Sequence, residues 1–315
     1  MSNFSCVRWR CMFIALVGFS FLLLAMVRIP VNSGGIQGMK VQEPLVVLIS
    51  GGKFIMGNDK GAPEERPEHT VQLRPYYLAK YEVSNEEFVS FLNAVQAEVR
   101  DSGNVFYGDL KIAQLHCRHY CNEWEEEILY ENGHFKVLPD RERNPVVLVT
   151  WFGAMSYARW LAEQTGRPYR LPTESEWEYA AGEGRKHLPW AGTSMAARLD
   201  AYANLCDAFC AIPNWGTKKL HDGYPKTSPI GTFKPNALGL YDMTGNVYEW
   251  CGESYYVYTT RKEGSLEIPD PYLHTVRGGS WLNSPKGATV TARYTAKADY
   301  ADVAIGFRLA RDLER

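Results

Sequence analysis

The chain has 315 residues, of which 45% are hydrophobic and 22% charged, enough for one large globular domain or two small ones with a substantial core. A formal net charge of -2, with no long basic run, removes any electrostatic case for nucleic acid or an anionic surface as partner. Nine Trp and nineteen Tyr beside 27 Gly and 17 Pro point to aromatic anchors and irregular loops rather than a helical bundle.

The N-terminus reads differently from the rest. Arg8 and Arg10 precede an apolar run from Cys11 to Val27, closed by Arg28 and Pro30. Such a stretch is a signal peptide or a signal anchor. No small-x-small cleavage pattern follows it, which favours an uncleaved anchor. The arginines on its N-terminal side place residues 1–10 in the cytoplasm, residues 11–28 in the membrane and the remainder outside, in a periplasm or an equivalent extracytoplasmic space. Residues 29–44 form a Gly-containing linker, and the domain follows over 45–315.

Leu45 to Gly57 reads as two short strands around Gly51 and Gly52, and His69 to Val83 as a half-buried strand. Ser84 and Glu87 make a capping box ahead of Phe88, Phe91, Leu92 and Val95, which predicts a helix over 85–97. Residues 98–143 have the length and polarity of an insertion, with a hairpin turn at Asn132-Gly133. Ala154, Tyr157, Ala158 and Leu161 share one face of a second helix that Gly166 ends. Thr173 and Glu176 form another capping box, opening a short third helix that stops before Gly182. Beyond Leu188 only short strands are expected, separated by Gly, Pro, Asn and Asp.

Five cysteines follow the linker: Cys117, Cys121, Cys206, Cys210 and Cys251. Local pairs Cys117–Cys121 and Cys206–Cys210 are sterically allowed, and cross-pairing stays open. The cluster of His116, Cys117, His119 and Cys121 offers soft-metal ligands, although an oxidising compartment favours a disulfide there. Asp242 and Glu249, seven residues apart in DMTGNVYE, supply the hard oxygens that Ca²⁺ prefers, a pattern that a solvated turn also produces. Glu174, Glu176 and Glu178 form an acidic cluster, but Glu176 is committed to the cap and catalysis is not expected from it.

Eight blocks, in order, span about residues 45 to 311: GGKFIMG, YEVSNEEFVSFL, NPVVLVTWFGA, GRPYRLPTESEWEYAA, YANLCD, NALGLYDMTGNVYEWC, VRGGSW and IGFRLAR. Together they resemble the formylglycine-generating-enzyme, or sulfatase-modifying-factor, family. The resemblance implies an α+β fold, one C-type-lectin-like domain with little regular secondary structure. It also implies two structural calcium sites. One matches Asn204, Leu205, Asp222 and Tyr224; the other matches Asp242, Gly245, Val247 and Glu249.

The same resemblance exposes a loss. The family's enzymes hold copper with two cysteines a few residues beyond the GGS motif, because thiolates are the soft ligands of Cu(I). Here Asn283 and Ala288 stand at those positions, and no cysteine follows Cys251, so copper is not expected. A lone Cys251 thiol from another loop would not rebuild a two-thiolate site. Of the substrate groove the resemblance carries over Ser280, Trp281 and Arg293, joined by Asn283 and by Tyr248 where active enzymes usually have Trp. Trp281 and Arg308 also fit a purely structural role, as core and as a buried ion pair.

Three functions follow as expectations. The first is a membrane-tethered, calcium-stabilised binding or scaffolding module, a pseudoenzyme recognising a peptide, a glycan or an envelope protein. The second is an oxidoreductase using the same groove for other chemistry, as in family members implicated in siderophore maturation. The third, weakest on the missing cysteines, is formylglycine generation itself.

Overall fold

The computed structural model describes residues 41–116, 126–184, 186–210, 220–258 and 270–314, all within Ile36–Arg315, the larger of two compact units. The apolar run at Cys11 to Val27 and the Cys117–Cys121 pair lie outside these residues. Among the described residues no helix is long and apolar enough to cross a membrane.

Strands β1 (Val46–Ile49) and β2 (Gly52–Met56) are separated at Gly51, whose φ is +67°. A Cβ there would lie 2.7 Å from the carbonyl oxygens of Leu73 and Arg74, so only glycine lets the two chains approach. The expected single strand from His69 divides into β3 (His69–Leu73) and β4 (Tyr76–Ala79). Between them stands Pro75, which has no N–H to give a ladder. The two strands then enter different sheets, β3 pairing β2 and β4 pairing β1.

Helix α1 (Asn85–Ala94) has the expected capping box: Glu87 N–H donates to Ser84 Oγ at 3.3 Å and Ser84 N–H to Glu87 Oε2 at 2.8 Å. It ends before the expected residue 97, and Gln96 turns to φ +52°. The described residues of the expected insertion fold as β5 (Glu98–Arg100), β6 (Asn104–Tyr107) and β7 (Leu110–Gln114) in one small sheet, then β8 (Ile128–Glu131) and β9 (His134–Val137) as a hairpin. Asn132 and Gly133 close that hairpin with φ +52° and +83°, the left-handed pair a two-residue turn requires. Ile112 and Phe135 carry the insertion into the main core beside Phe88, Phe91, Tyr157 and Phe307.

Helix α2 (Trp151–Thr165) is capped by Thr150 and stopped by Gly166 at φ +70°. Its Gly153 packs directly on β7, since a Cβ would fall 2.0 Å from the Ile112 carbonyl oxygen. After β10 (Tyr169–Arg170) comes α3 (Glu174–Ala181), again with its capping box. The rest is β11 (Tyr248–Ser254), β12 (Leu273–Arg277), β13 (Arg293–Lys297), β14 (Ile305–Gly306) and β15 (Ala310–Asp312). Two four-stranded sheets result, ordered β1-β4-β15-β10 and β13-β12-β11-β14. Short 3₁₀ turns at Ala196–Ala201 and Pro285–Ala288 are, among the described residues, helical departures from the strand-only expectation for this half. Cys206 and Cys210 are joined in a disulfide with Cα atoms 4.8 Å apart, and Cys251 is a free, buried thiol.

Candidate functional site

Glu174 and Glu178 are one turn apart on α3 and therefore face the same way, into the protein. Glu174 takes Arg293 in a two-pronged pair at 2.5 and 2.7 Å, and Glu178 takes Arg277, whose guanidinium also donates to the carbonyls of Val290, Thr291 and Ala292. All four side chains have essentially no exposure. Arg293 is therefore not a groove residue: a guanidinium needs a carboxylate when buried, and it has one in Glu174. Glu176 points the other way, serving its cap and pairing with Arg170 at 2.7 Å.

Asn283 and Ala288, which the resemblance puts at the cysteine positions, are committed to the fold. Asn283 Oδ1 accepts both the N–H and the hydroxyl of Ser280, each at 2.9 Å, and so closes the turn after the double glycine. Ala288 has no exposure, and a Cβ on Gly279 would come within 2.5 Å of its methyl. Ser280 is fully buried, and Trp281 packs with Val147, Leu148, Val247 and Val303 while its indole N–H donates to the Val303 carbonyl at 3.1 Å. Both expected groove residues are therefore interior. Of the predicted set, Tyr248 and Asn283 stay partly accessible, and the exposed Tyr294 joins them, its ring 5.1 Å from that of Tyr248. Burial holds the Tyr248 phenol above its ordinary pKa, and burial also raises the Cys251 thiol, so neither is ionised near neutrality.

The predicted oxygen ligands behave differently at the two positions. Asp222 accepts the N–H of Leu205 at 2.8 Å and of Tyr224 at 2.9 Å, so the structure brings Leu205, Asp222 and Tyr224 together beside Asn204. Asn204 donates through Nδ2 to the Lys226 carbonyl and to Asn246, leaving a fully buried Oδ1 with no partner. Burial, reinforced by the charges of Asp207 and Asp200, pushes the Asp222 carboxyl up to about 6. A bare amide oxygen beside a crowded carboxylate fits a hard divalent cation.

At the second position Asp242, Gly245 and Asn246 all have positive φ, +56°, +78° and +59°, and a Cβ on Gly245 would lie 2.1 Å from the Asn204 carbonyl oxygen. The two loops thus touch. Asp242 accepts the Gly231 N–H at 2.7 Å through Oδ2 and leaves a buried Oδ1 bare, and burial pushes its carboxyl up to about 6. Glu249, the expected second carboxylate, is occupied instead. Arg308 holds both its oxygens at 2.6 and 2.7 Å, and the Trp177 indole adds 2.8 Å. The residues fit a cation through Asp242 and not through Glu249. Among the described residues no three His, Cys, Asp or Glu side chains converge as a ready metal cluster.

Sequence reasoning missed Glu82, in the turn before α1. It is buried, bonded through Oε2 to Asn246 Nδ2 at 2.8 Å, and its Oε1 has no partner. Burial, then the charges of Asp242 and Glu249, hold its carboxyl well above the ordinary range. The one available signal is an acidic residue directly ahead of a capping box.

The family described as "Sulfatase-modifying factor enzyme 1-like domain" matches residues 34–313. The formylglycine-generating enzyme of Thermomonospora curvata is 30% identical over 293 residues, covering 85% of this chain and 93% of that protein. A protein named serine/threonine-protein kinase Pkn1 from Chlamydia trachomatis is 29% identical over 85% of this chain but only 38% of its own length, so the chain spans less than half of such relatives. Among solved structures, PvdO from Pseudomonas aeruginosa is similar at a TM-score of 0.62 and 27% identity, over 86% of this chain and 95% of that one. On the match to residues 34–313 and on the retained blocks, the chain belongs to the sulfatase-modifying-factor, or formylglycine-generating-enzyme, family.

Proposed function

We propose that this chain is a binding or scaffolding member of its family, tethered outside the cytoplasm by its N-terminal segment and held by calcium, that works without copper-dependent formylglycine generation. The observation that carries the reading is the pair Asn283 and Ala288 at the thiolate positions. Asn283 is not a spare ligand, since its carbonyl oxygen already fixes Ser280. Ala288 has no donor atom and no space around it. The remaining thiol, Cys251, is buried in β11 and protonated at neutral pH. A Cu(I) ion would find no second soft ligand among these groups.

The groove retains a surface. Tyr248, Asn283 and Tyr294 present aromatic faces with amide and phenol donors, a combination suited to a peptide or a glycan. Calcium would act on this surface only through the loops it staples, around residues 204–210, 220–224 and 242–247, which among the described residues carry few regular backbone pairings of their own. The activity of the longer kinase relatives is not part of the proposal.

The test is incubation of the purified chain with copper, a reductant, oxygen and a peptide bearing the sulfatase-type CxPxR motif, followed by mass spectrometry. The peptide's cysteine is expected to remain a thiol. Its conversion to the aldehyde at catalytic rates would overturn the reading. Should the same assay reveal another oxidation of the peptide, the oxidoreductase alternative gains what it now lacks.

A further inference from the structure

The disulfide Cys206–Cys210 lies against the groove. Cys206 is 1% exposed and Cys210 half-buried, four positions apart in a turn that also carries the exposed Ala208 and Phe209. The Cys206 N–H donates to the Asn283 carbonyl at 3.0 Å, and Leu205, one residue earlier, packs with Ala288 beside Leu199, Ala203 and Leu220. The turn thus touches both residues that the resemblance puts at the cysteine positions. Its own backbone closure is weak: Ala208 N–H to the Leu220 carbonyl and Cys210 N–H to the Asp207 carbonyl are each 3.4 Å, beyond the usual range of such a bond. The firm bonds run to the Asp207 carboxylate, which accepts the Phe209 N–H at 2.6 Å and the Asp222 N–H at 2.7 Å. The S–S bond is therefore the tie that fixes Cys210 to Cys206. A loop this short removes less chain entropy from the unfolded state than a long one, so breaking it is a local event.

We propose that the Cys206–Cys210 disulfide is a redox latch on the groove: closed, it holds the backbone of Asn283 in place, and opened by a partner protein's dithiol it releases residues 280–288 without unfolding the chain. A thiolate of the partner attacks the sulfur of Cys210, the half-exposed cysteine; the S–S bond breaks, and Cys206 leaves as a thiolate that takes up a proton. The partner's second thiolate attacks the mixed disulfide and releases Cys210, which is protonated in turn. Two electrons and two protons pass from the partner, whose dithiol becomes a disulfide, to Cys206 and Cys210, which become thiols. The same exchange in reverse closes the latch. Cys251, buried in β11, is out of reach of it. The path from latch to groove is short: Cys206 N–H holds the Asn283 carbonyl, and Asn283 Oδ1 holds the N–H and hydroxyl of Ser280. Only the consequence for ligand binding rests on the groove reading above; the latch does not.

The experiment is hydrogen exchange of the full chain, equilibrated in oxidised or in reduced dithiothreitol and read by mass spectrometry of its peptides, with free thiols alkylated and located on the same peptides. In the reduced dithiol, Cys206 and Cys210 are expected to become alkylated while the amides of α2 and of the β2–β3 pair keep their protection. Exchange over 204–210 and 280–288 is expected to rise about tenfold or more and to return on reoxidation. A disulfide that persists until the whole chain unfolds overturns the proposal. So does a reduced chain whose 280–288 segment exchanges as the oxidised one does. Cys206→Ser with Cys210→Ser is expected to exchange fast over 280–288 in both buffers, and slow exchange there would contradict the coupling. Should that variant fail to fold, the unaltered chain decides alone. No peptide substrate, copper or calcium enters the measurement, so its failure leaves the loss of formylglycine generation standing, and conversion of the CxPxR peptide would leave the latch standing.

Discussion

Two buried charged regions of this molecule lie close together and differ in one respect. Under α3, Glu174 and Glu178 meet Arg293 and Arg277, two acids with two bases, and all four carboxylate oxygens are engaged or in contact. Behind the 242–246 loop, Glu82, Asp242 and Glu249 meet Arg308 alone, and three buried oxygens, of Glu82, Asp242 and Asn204, have no partner. A set in which acids and bases match in number is part of the frame, even though Arg277 Nε there is buried without a partner. A set with more acids than bases is neutral only while the surplus carboxyls hold protons, and burial raises both Glu82 and Asp242 in that direction. The distinction assigns Arg293 to the frame although the family pattern places it in the groove, and it singles out Glu82, a buried carboxyl with one unpartnered oxygen that no sequence pattern marked.

The comparison breaks most visibly at Arg308. Arg308→Met leaves Glu249 buried without its partner and is expected to cost about 3–5 kcal/mol in denaturant unfolding. The loss should be the same with calcium and with chelator, since the pair belongs to the frame. A loss that calcium repairs would place Glu249 in the cation site after all.

Calcium removal is the next effect in size. Saturating calcium at 100-fold over its dissociation constant stabilises by about 2.7 kcal/mol for each site. The dependence on pH has a definite sign. In the metal-free chain the Asp222 and Asp242 carboxyls titrate near 6, above their ordinary 3.8, so the folded state holds these protons more tightly than the unfolded state. Their contribution to stability is present below pH 3.8 and is lost as the pH rises through 6. Calcium needs the deprotonated forms, so its stabilisation grows over the same interval. Melting curves in chelator and in calcium should therefore diverge more at pH 7.5 than at pH 5, and parallel curves would contradict the enclosure.

The smallest effect tests local frame alone. Ser84→Ala removes the α1 cap and is expected to cost about 1 kcal/mol by chemical denaturation, with calcium affinity unchanged. A change in affinity would tie the start of α1 to the cation loops.

What could be read in the sequence follows the range of the interaction. The boxes at Ser84 and Thr173, the turn at Asn132-Gly133 and the stop at Gly166 each depend on residues within four of one another, and each is where it was expected. The disulfide Cys206–Cys210 is equally local. Arg293 and Glu174 are 119 residues apart, and nothing in either neighbourhood announces that a charged side chain will be interior. Glu249 illustrates the converse. Its spacing from Asp242 suits a ligand pair, but Arg308, 59 residues later, claims it. Glu82 sits in a turn between β4 and α1, outside any periodic segment, so its burial and its bare oxygen emerge only with the tertiary contacts.

The central claim is a fold that has kept its hard-cation enclosures and lost its soft-metal chemistry. Elemental analysis of the full chain, equilibrated with calcium and Cu(I) together and then freed of unbound metal, tests both halves at once. The account predicts about two calcium ions per chain, as expected for oxygen-rich sites, and copper at trace level. One copper per chain, with calcium absent, would contradict it.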